Sequence, residues 1–223
     1  MSVLVGRPAP DFTAAAVLGS GEIVDSFTLS EAIKGKKAVV FFYPLDFTFV
    51  CPSELIAFDK RFDEFKKRGV EVIGVSIDSQ FSHNAWRNTP VNQGGIGPVK
   101  YTLVADVKHD ICQAYDVEHP EDGVAFRGSF LIDEAGMVRH QVVNDLPLGR
   151  NVDEMLRMVD ALAFHEEHGE VCPVNWQKGK QGMQATPLGV AKYLEDPKKA
   201  ATGRRKKSNG ITALASAFSN ALA

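Results

Sequence analysis

The sequence predicts an α/β fold in which a mixed central sheet is flanked by helices, with an extension at the C-terminal end. Three observations carry this prediction. Short β-branched and aromatic runs alternate with segments of helical period. Residues 37–43 (KAVVFFY) and 70–77 (VEVIGVSI) are largely apolar, as strands buried within a sheet are. The last two strand-like runs, 125–132 and 137–143, are joined by Asp133-Glu134-Ala135-Gly136, a good hairpin turn that makes the sheet mixed.

The elements follow in a regular order. After the strand at 37–43, residues 53–68 set Leu55, Phe58, Phe62 and Phe65 at helical spacing, and Gly69 stands where such a helix ends. Beyond the strand at 70–77, a helical stretch around 81–87 leads to a strand at 101–105 and a short helix near 111–115. The hairpin comes next. Asn151, with Glu154 three residues on, makes a start like a capping box, and the helix it opens carries Met155, Leu156, Val159 and Leu162 on one face. This succession is thioredoxin-like, and no segment repeats another.

One domain is expected over residues 1–165. Residues 166–196 form a C-terminal segment, in which Cys172-Pro173 opens an irregular, turn-rich stretch through Pro187. Residues 197–223 read as a basic linker, with Lys198, Lys199, Arg204, Arg205, Lys206 and Lys207, and a short amphipathic tail. There Ile211, Leu214, Phe218 and Leu222 share one face of a helix too short to stand alone, so it is expected to dock on its own or a neighbouring subunit.

At 223 residues and 44% hydrophobic, the chain has the composition of an ordinary soluble protein with one good core. Its net charge of −3 argues against a nucleic-acid binder. No apolar run reaches the ~20 residues of a membrane span, so no membrane partner is expected. The start, MSVLVGRPAPDF, lacks the pattern of a signal peptide, and a cytoplasmic location is expected. Without a Walker loop or dinucleotide fingerprint, neither a nucleotide nor a flavin cofactor is expected.

Three separated cysteines, Cys51, Cys112 and Cys172, make neither a disulfide scaffold nor a C-x-x-C pair. Cys112, in D-I-C-Q-A-Y, reads as a packing residue. Cys51 reads differently. It ends the run P-L-D-F-T-F-V-C, which holds Pro44 and Thr48, and it sits where a strand turns into a helix. Unpaired N–H groups and the helix dipole there favour a thiolate. Pro52 costs little in a first helical turn, and the Thr48 hydroxyl lies within reach of the sulfur or of a substrate atom beside it. A cysteine in an apolar run is by default a small hydrophobe; the proline, the threonine and the helix start favour a nucleophile instead.

P-L-D-F-T-F-V-C-P, with Glu54 next, resembles the peroxidatic-cysteine signature of the peroxiredoxins. HGEVCPVNW, with Cys172 and Trp176, is similar to the resolving-cysteine motif of the typical two-cysteine members, the subfamily of alkyl hydroperoxide reductase C and peroxiredoxin 1. AFRGSFLID places Arg127, and N-D-L-P-L-G-R places Arg150, where the family has its active-site arginines; Trp86 also matches. The resemblance spans residues 4–194.

It implies a thiol-specific peroxidase for hydrogen peroxide and organic hydroperoxides. Cys51 would attack the peroxide, Arg127 would favour the thiolate and hold a peroxide oxygen, and Thr48 would act as hydroxyl donor and acceptor to substrate. Pro44 would shield the thiolate, while Glu54 and Arg150 would orient the arginine. The Cys51 sulfenic acid would condense with Cys172 of the other subunit after local unwinding. Thioredoxin or a flavoprotein disulfide reductase would reduce the disulfide, in a homodimer assembling into a ring of five dimers.

Two features bear on over-oxidation by the same resemblance. Gly94-Gly95-Ile96-Gly97 is similar to the GGLG loop of sensitive members, and Tyr193-Leu194 replaces their C-terminal Tyr-Phe pair. Leu194 and the tail helix are expected to slow the exposure of Cys51. Further roles as a holdase chaperone or a peroxide-sensing redox relay remain compatible with the sequence. A cysteine hydrolase fits poorly, since no histidine segment is obviously paired with Cys51. No metal site is expected: in His165-Glu166-Glu167-His168 the histidines are three apart where a metalloprotease needs four, and His109 and Cys112 lack an evident third ligand.

Overall fold

The protein is described from a computed structural model covering residues 3–195; the linker and tail helix expected at 197–223 lie outside the described residues. The most apolar runs form the centre of the sheet. β3 (Lys37–Phe42) pairs in parallel with β4 (Val70–Ser76), which pairs in parallel with β5 (Thr102–Ala105). On the other side, β3 pairs antiparallel with β6 (Arg127–Ile132), and β6 with β7 (Val138–Asn144). Two strands that the periodicity did not announce, β1 (Thr13–Val17) and β2 (Ile23–Thr28), complete the far edge. The order is β2-β1-β5-β4-β3-β6-β7, a mixed thioredoxin-like sheet.

Alternation along β3 explains the layers. Val39 and Phe41 face one core with α2 (Cys51–Lys67) and α5 (Val152–His168), against Leu55, Phe58, Phe65, Met155 and Val159. Trp86 of α3 (Gln80–Asn88) joins the same core. Val40 and Phe42 face the opposite core, closed by α1 (Leu29–Ala32) and α4 (Asp110–Ala114). The last helix among the described residues is α6 (Pro187–Leu194), entered through a Thr186 side chain that accepts the Gly189 N–H at 3.0 Å.

The hairpin turn forms as its residues dictate. Asp133 Oδ1 accepts the N–H groups of Ala135 (3.0 Å) and Met137 (2.8 Å), and Gly136 supplies the left-handed φ of 78°. One boundary moved: α2 begins at Cys51, two residues before the segment 53–68 read as helical, because the Ser53 and Glu54 N–H groups both reach the Val50 carbonyl. Pro52, with no N–H to place, fits this first turn.

Candidate active site

β3 delivers the chain to a loop over residues 43–50, and Cys51 is the first residue of the helix that follows. The thiol is 1% exposed. Val50, at the N-cap, has a helical backbone and provides no side-chain cap. Arg127, the first residue of β6, points Nη1 at Cys51 Sγ from 3.5 Å.

That guanidinium is held from two sides. Its Nε donates to the Leu146 carbonyl (2.7 Å), and its Nη1 donates to Glu54 Oε2 (2.8 Å). Glu54 in turn accepts from the Arg150 backbone N–H (2.8 Å), Nε (2.9 Å) and Nη2 (2.8 Å). Arg150 is fixed by its Nη1, which donates to the carbonyls of Phe42 and Gly128, both at 2.7 Å, and by the Phe41 ring, whose centroid lies 5.2 Å from the guanidinium carbon. Burial alone would raise the Glu54 carboxyl, but Arg150 first and Arg127 second outweigh it and hold the group below the ordinary carboxylate range. Two cations thus share one buried anion, and one of them is aimed at the sulfur.

Pro44 is buried in the loop before Cys51. Thr48 lies in the same loop, but its hydroxyl donates to the Leu45 carbonyl at 2.7 Å. Its hydrogen is therefore committed, and what it offers a substrate in this state is an acceptor oxygen.

Sequence reasoning missed the group that anchors this loop. Asp46 accepts from Tyr43 Oη (2.9 Å) and Ser82 Oγ (2.9 Å), and its other close neighbour is His83 Nδ1 at 2.8 Å. His83 Nε2 reaches the Val104 carbonyl (3.1 Å), and the Asp46 N–H donates to Asp78 (2.9 Å). Asp46 lies inside the P-L-D-F-T run, which was the available signal, but its partners Asp78 and His83 come 32 and 37 residues later.

Cys172 stands apart from this cluster. It is half-buried against α5, where its thiol donates to the Ala161 carbonyl at 3.4 Å, and both it and Cys51 are free thiols. Burial raises its pKa and Arg157 opposes the rise. Arg157 grips both oxygens of Glu154 (2.6 and 2.7 Å) and donates to the Trp176 carbonyl (2.9 Å), which ties the Cys172 segment to α5. Cys112 is 1% exposed with its pKa pushed far up, chiefly by burial. In the glycine run, Gly94 and Gly97 take left-handed φ values of 84° and 70°, and a Cβ on Gly95 would collide with the Thr89 carbonyl oxygen. Leu194 is 59% exposed on α6.

Comparison with known proteins supports the same reading. Residues 5–141 match the AhpC/TSA family, and residues 161–196 match the C-terminal domain of 1-Cys peroxiredoxin, although this chain carries Cys172 within that second match. The chain is 58% identical to alkyl hydroperoxide reductase C of Helicobacter pylori over 87% of its length and 98% of the relative's. It is 54% identical to peroxiredoxin-1 of Gallus gallus, covering 87% of this chain and 96% of that one. The reduced 2-Cys peroxiredoxin of Plasmodium vivax superposes with a TM-score of 0.84 at 48% identity, over 87% of this chain and all of that one. With its sheet, its buried thiol and these matches in agreement, the chain belongs to the AhpC/TSA family and is a peroxiredoxin, a thiol-dependent peroxidase.

Proposed function

We propose that the chain reduces hydrogen peroxide and organic hydroperoxides at Cys51 and resolves the product with Cys172 of a second subunit. The observation that carries this reading is the Arg127 guanidinium 3.5 Å from the Cys51 sulfur, locked by Glu54, which Arg150 locks in turn. The Cys51 thiolate attacks one peroxide oxygen along the O–O axis. The S–O bond forms as the O–O bond breaks, and the departing alkoxide or hydroxide takes a proton. Arg127 supplies a fixed positive charge where that negative charge moves. In this reading the Thr48 oxygen accepts the hydrogen of the bound hydroperoxide, and Pro44 keeps bulk water from the sulfur.

The sulfenic acid then condenses with the Cys172 thiol, releasing water and leaving a disulfide. The two thiols have separate surroundings within one chain, which suits an intersubunit bond. A protein dithiol, from thioredoxin or a flavoprotein disulfide reductase, returns both to thiols. A homodimer assembled as a ring of five dimers fits the exposed apolar side chains Phe49 (95%), Phe81 (67%) and Val174 (80%). A cytoplasm kept reducing by such dithiols suits three free cysteines.

The test is intact mass and non-reducing gel mobility after one equivalent of hydrogen peroxide, for wild type, Cys51→Ser and Cys172→Ser. A disulfide-linked dimer in wild type alone supports the proposal. A wild-type monomer lighter by two hydrogens places resolution within one chain, and an unoxidised Cys51 removes the peroxidase assignment from this site.

A further inference from the structure

The pair His109 and Cys112 gains a third member from the fold. His109 precedes α4 with a left-handed φ of 65°, and Cys112 lies one turn on, so both stand on one side of the helix start. Beyond α4 the chain reverses at Asp116 (φ 53°). The Val117 N–H returns to the Cys112 carbonyl (2.9 Å), and Glu118 pairs across an isolated bridge with Ala125. This reversal brings Glu118 Oε1 within 2.6 Å of His109 Nδ1. A ring nitrogen, a sulfur and a carboxylate oxygen thereby converge, each within 4.8 Å of the others.

We infer that His109, Cys112 and Glu118 form a binding site for a borderline divalent transition-metal cation of the zinc class, with water as the fourth ligand. The donor set decides the class. Magnesium and calcium take oxygen ligands, whereas one sulfur, one imidazole and one carboxylate suit zinc and its neighbours. Ligands in such a tetrahedron stand roughly 3–4 Å apart, so these groups need only a small closure. The side chains of His109 and Glu118 are 29% and 25% exposed and provide an entry path, while Cys112 forms the floor.

The surroundings are anionic. Asp106 accepts the N–H groups of Ile111 (3.0 Å) and Cys112 (2.7 Å), which sets its carboxylate beside the sulfur. A cation held among them would draw the proton from the Cys112 thiol, because cysteine ligates as the thiolate. The other such cluster among the described residues, Asp46-Asp78-His83, differs. Its Asp46 and His83 side chains are 1% and 0% exposed, and Tyr43, Ser76 and Ser82 hydroxyls already occupy its carboxylates.

Binding involves no change of oxidation state. The Cys112 S–H bond to the His109 carbonyl (3.3 Å) and the His109–Glu118 contact give way to three metal–ligand bonds. The thiol proton leaves to water, and any proton on Nδ1 leaves or passes to Nε2. Because the Phe126 N–H donates back to Val117 (2.7 Å), an occupied site would fasten the stretch that runs directly into Arg127.

The probe is Co2+, titrated anaerobically into the full chain carrying Cys51→Ser and Cys172→Ser, so that Cys112 is the remaining thiol. The expected result is one Co2+ per chain with a near-ultraviolet thiolate charge-transfer band, competed away by Zn2+. The band should vanish with Cys112→Ser, and affinity should fall at least tenfold with His109→Gln or Glu118→Gln, both at partly exposed positions. No stoichiometric band overturns the proposal. So does a band that needs Cys112 but is indifferent to both Gln substitutions, since that describes a thiol binding metal by itself.

Discussion

Replacing Glu54 by glutamine tests the centre of the site, because it removes a charge and keeps the shape. The Glu54 side chain is 3% exposed and accepts four hydrogen bonds, one from Arg127 and three from Arg150. Removing one partner of a buried ion pair costs about 3–5 kcal/mol. Glutamine keeps one oxygen for Arg150, so a loss near the lower end, about 3 kcal/mol, is expected in urea unfolding. Arg127 loses the charged one of the two anchors that aim it at Cys51, and a shift of about 1 Å in such a group slows the reaction by roughly 10²-fold. Single-turnover oxidation by stopped flow measures that rate directly.

The pH dependence gives an independent check. The folded pKa of Glu54 lies below the ordinary value of 4.5, so its contribution is complete above that value. It disappears as pH falls through the depressed one. The stability gap between wild type and Glu54→Gln should therefore narrow on the acid side of about pH 4. A variant that reacts at the wild-type rate while Arg127→Met is slow would show that Glu54 does not position the arginine. A gap as wide at pH 3 as at pH 7 would show that its carboxylate charge is not the stabilising element.

Three further outcomes are expected. Gly95→Ala drives a Cβ into the Thr89 carbonyl, so the glycine turn must deform at a cost of about 1–3 kcal/mol, read from the urea midpoint. Arg157→Met removes the cation that opposes the raised pKa of Cys172 and frees the Trp176 carbonyl. Resolution should then slow, its pH profile should move to higher pH, and mass spectrometry should find more sulfinic acid at Cys51 per turnover. Asp133→Asn weakens the Arg139 contact (2.6 Å) at the hairpin turn and should cost about 1–2 kcal/mol. The Asp133 carboxyl is held below its ordinary value, because its hydrogen bonds outweigh burial, so this difference too should fade as pH falls below about 4.

What was legible in the sequence follows from how local each signal is. β3 and β4 could be read because both their faces are buried, which forces apolar residues into a row. β1, Thr13–Val17, is a run of small residues without β-branched alternation, and the edge strand β2 has no buried residue, so neither left a pattern. Cys51, Thr48 and Pro44 could be grouped because one short loop carries them. The Glu54 pairings with Arg127 and Arg150 span 73 and 96 residues, and only the family resemblance pointed to them. The engaged Thr48 hydroxyl and the Asp46–His83 anchor depend on where a folded loop turns. Glu118 joined His109 and Cys112 for the same reason, through a chain reversal no spacing announces.

The start of α2 has a kinetic meaning. The Val50 carbonyl takes the N–H groups of both Ser53 (3.1 Å) and Glu54 (3.3 Å) and the Ser53 hydroxyl (2.6 Å), while Pro52 brings no N–H of its own. The turn that holds Cys51 is thus fastened through a single backbone oxygen. On the mechanism proposed above, each opening of that turn would give the sulfenic acid a chance to meet Cys172 before a second peroxide arrives. One shared acceptor thus helps to time a race, and Ser53→Ala, by removing one of its three donors, would hand the advantage to the resolving thiol.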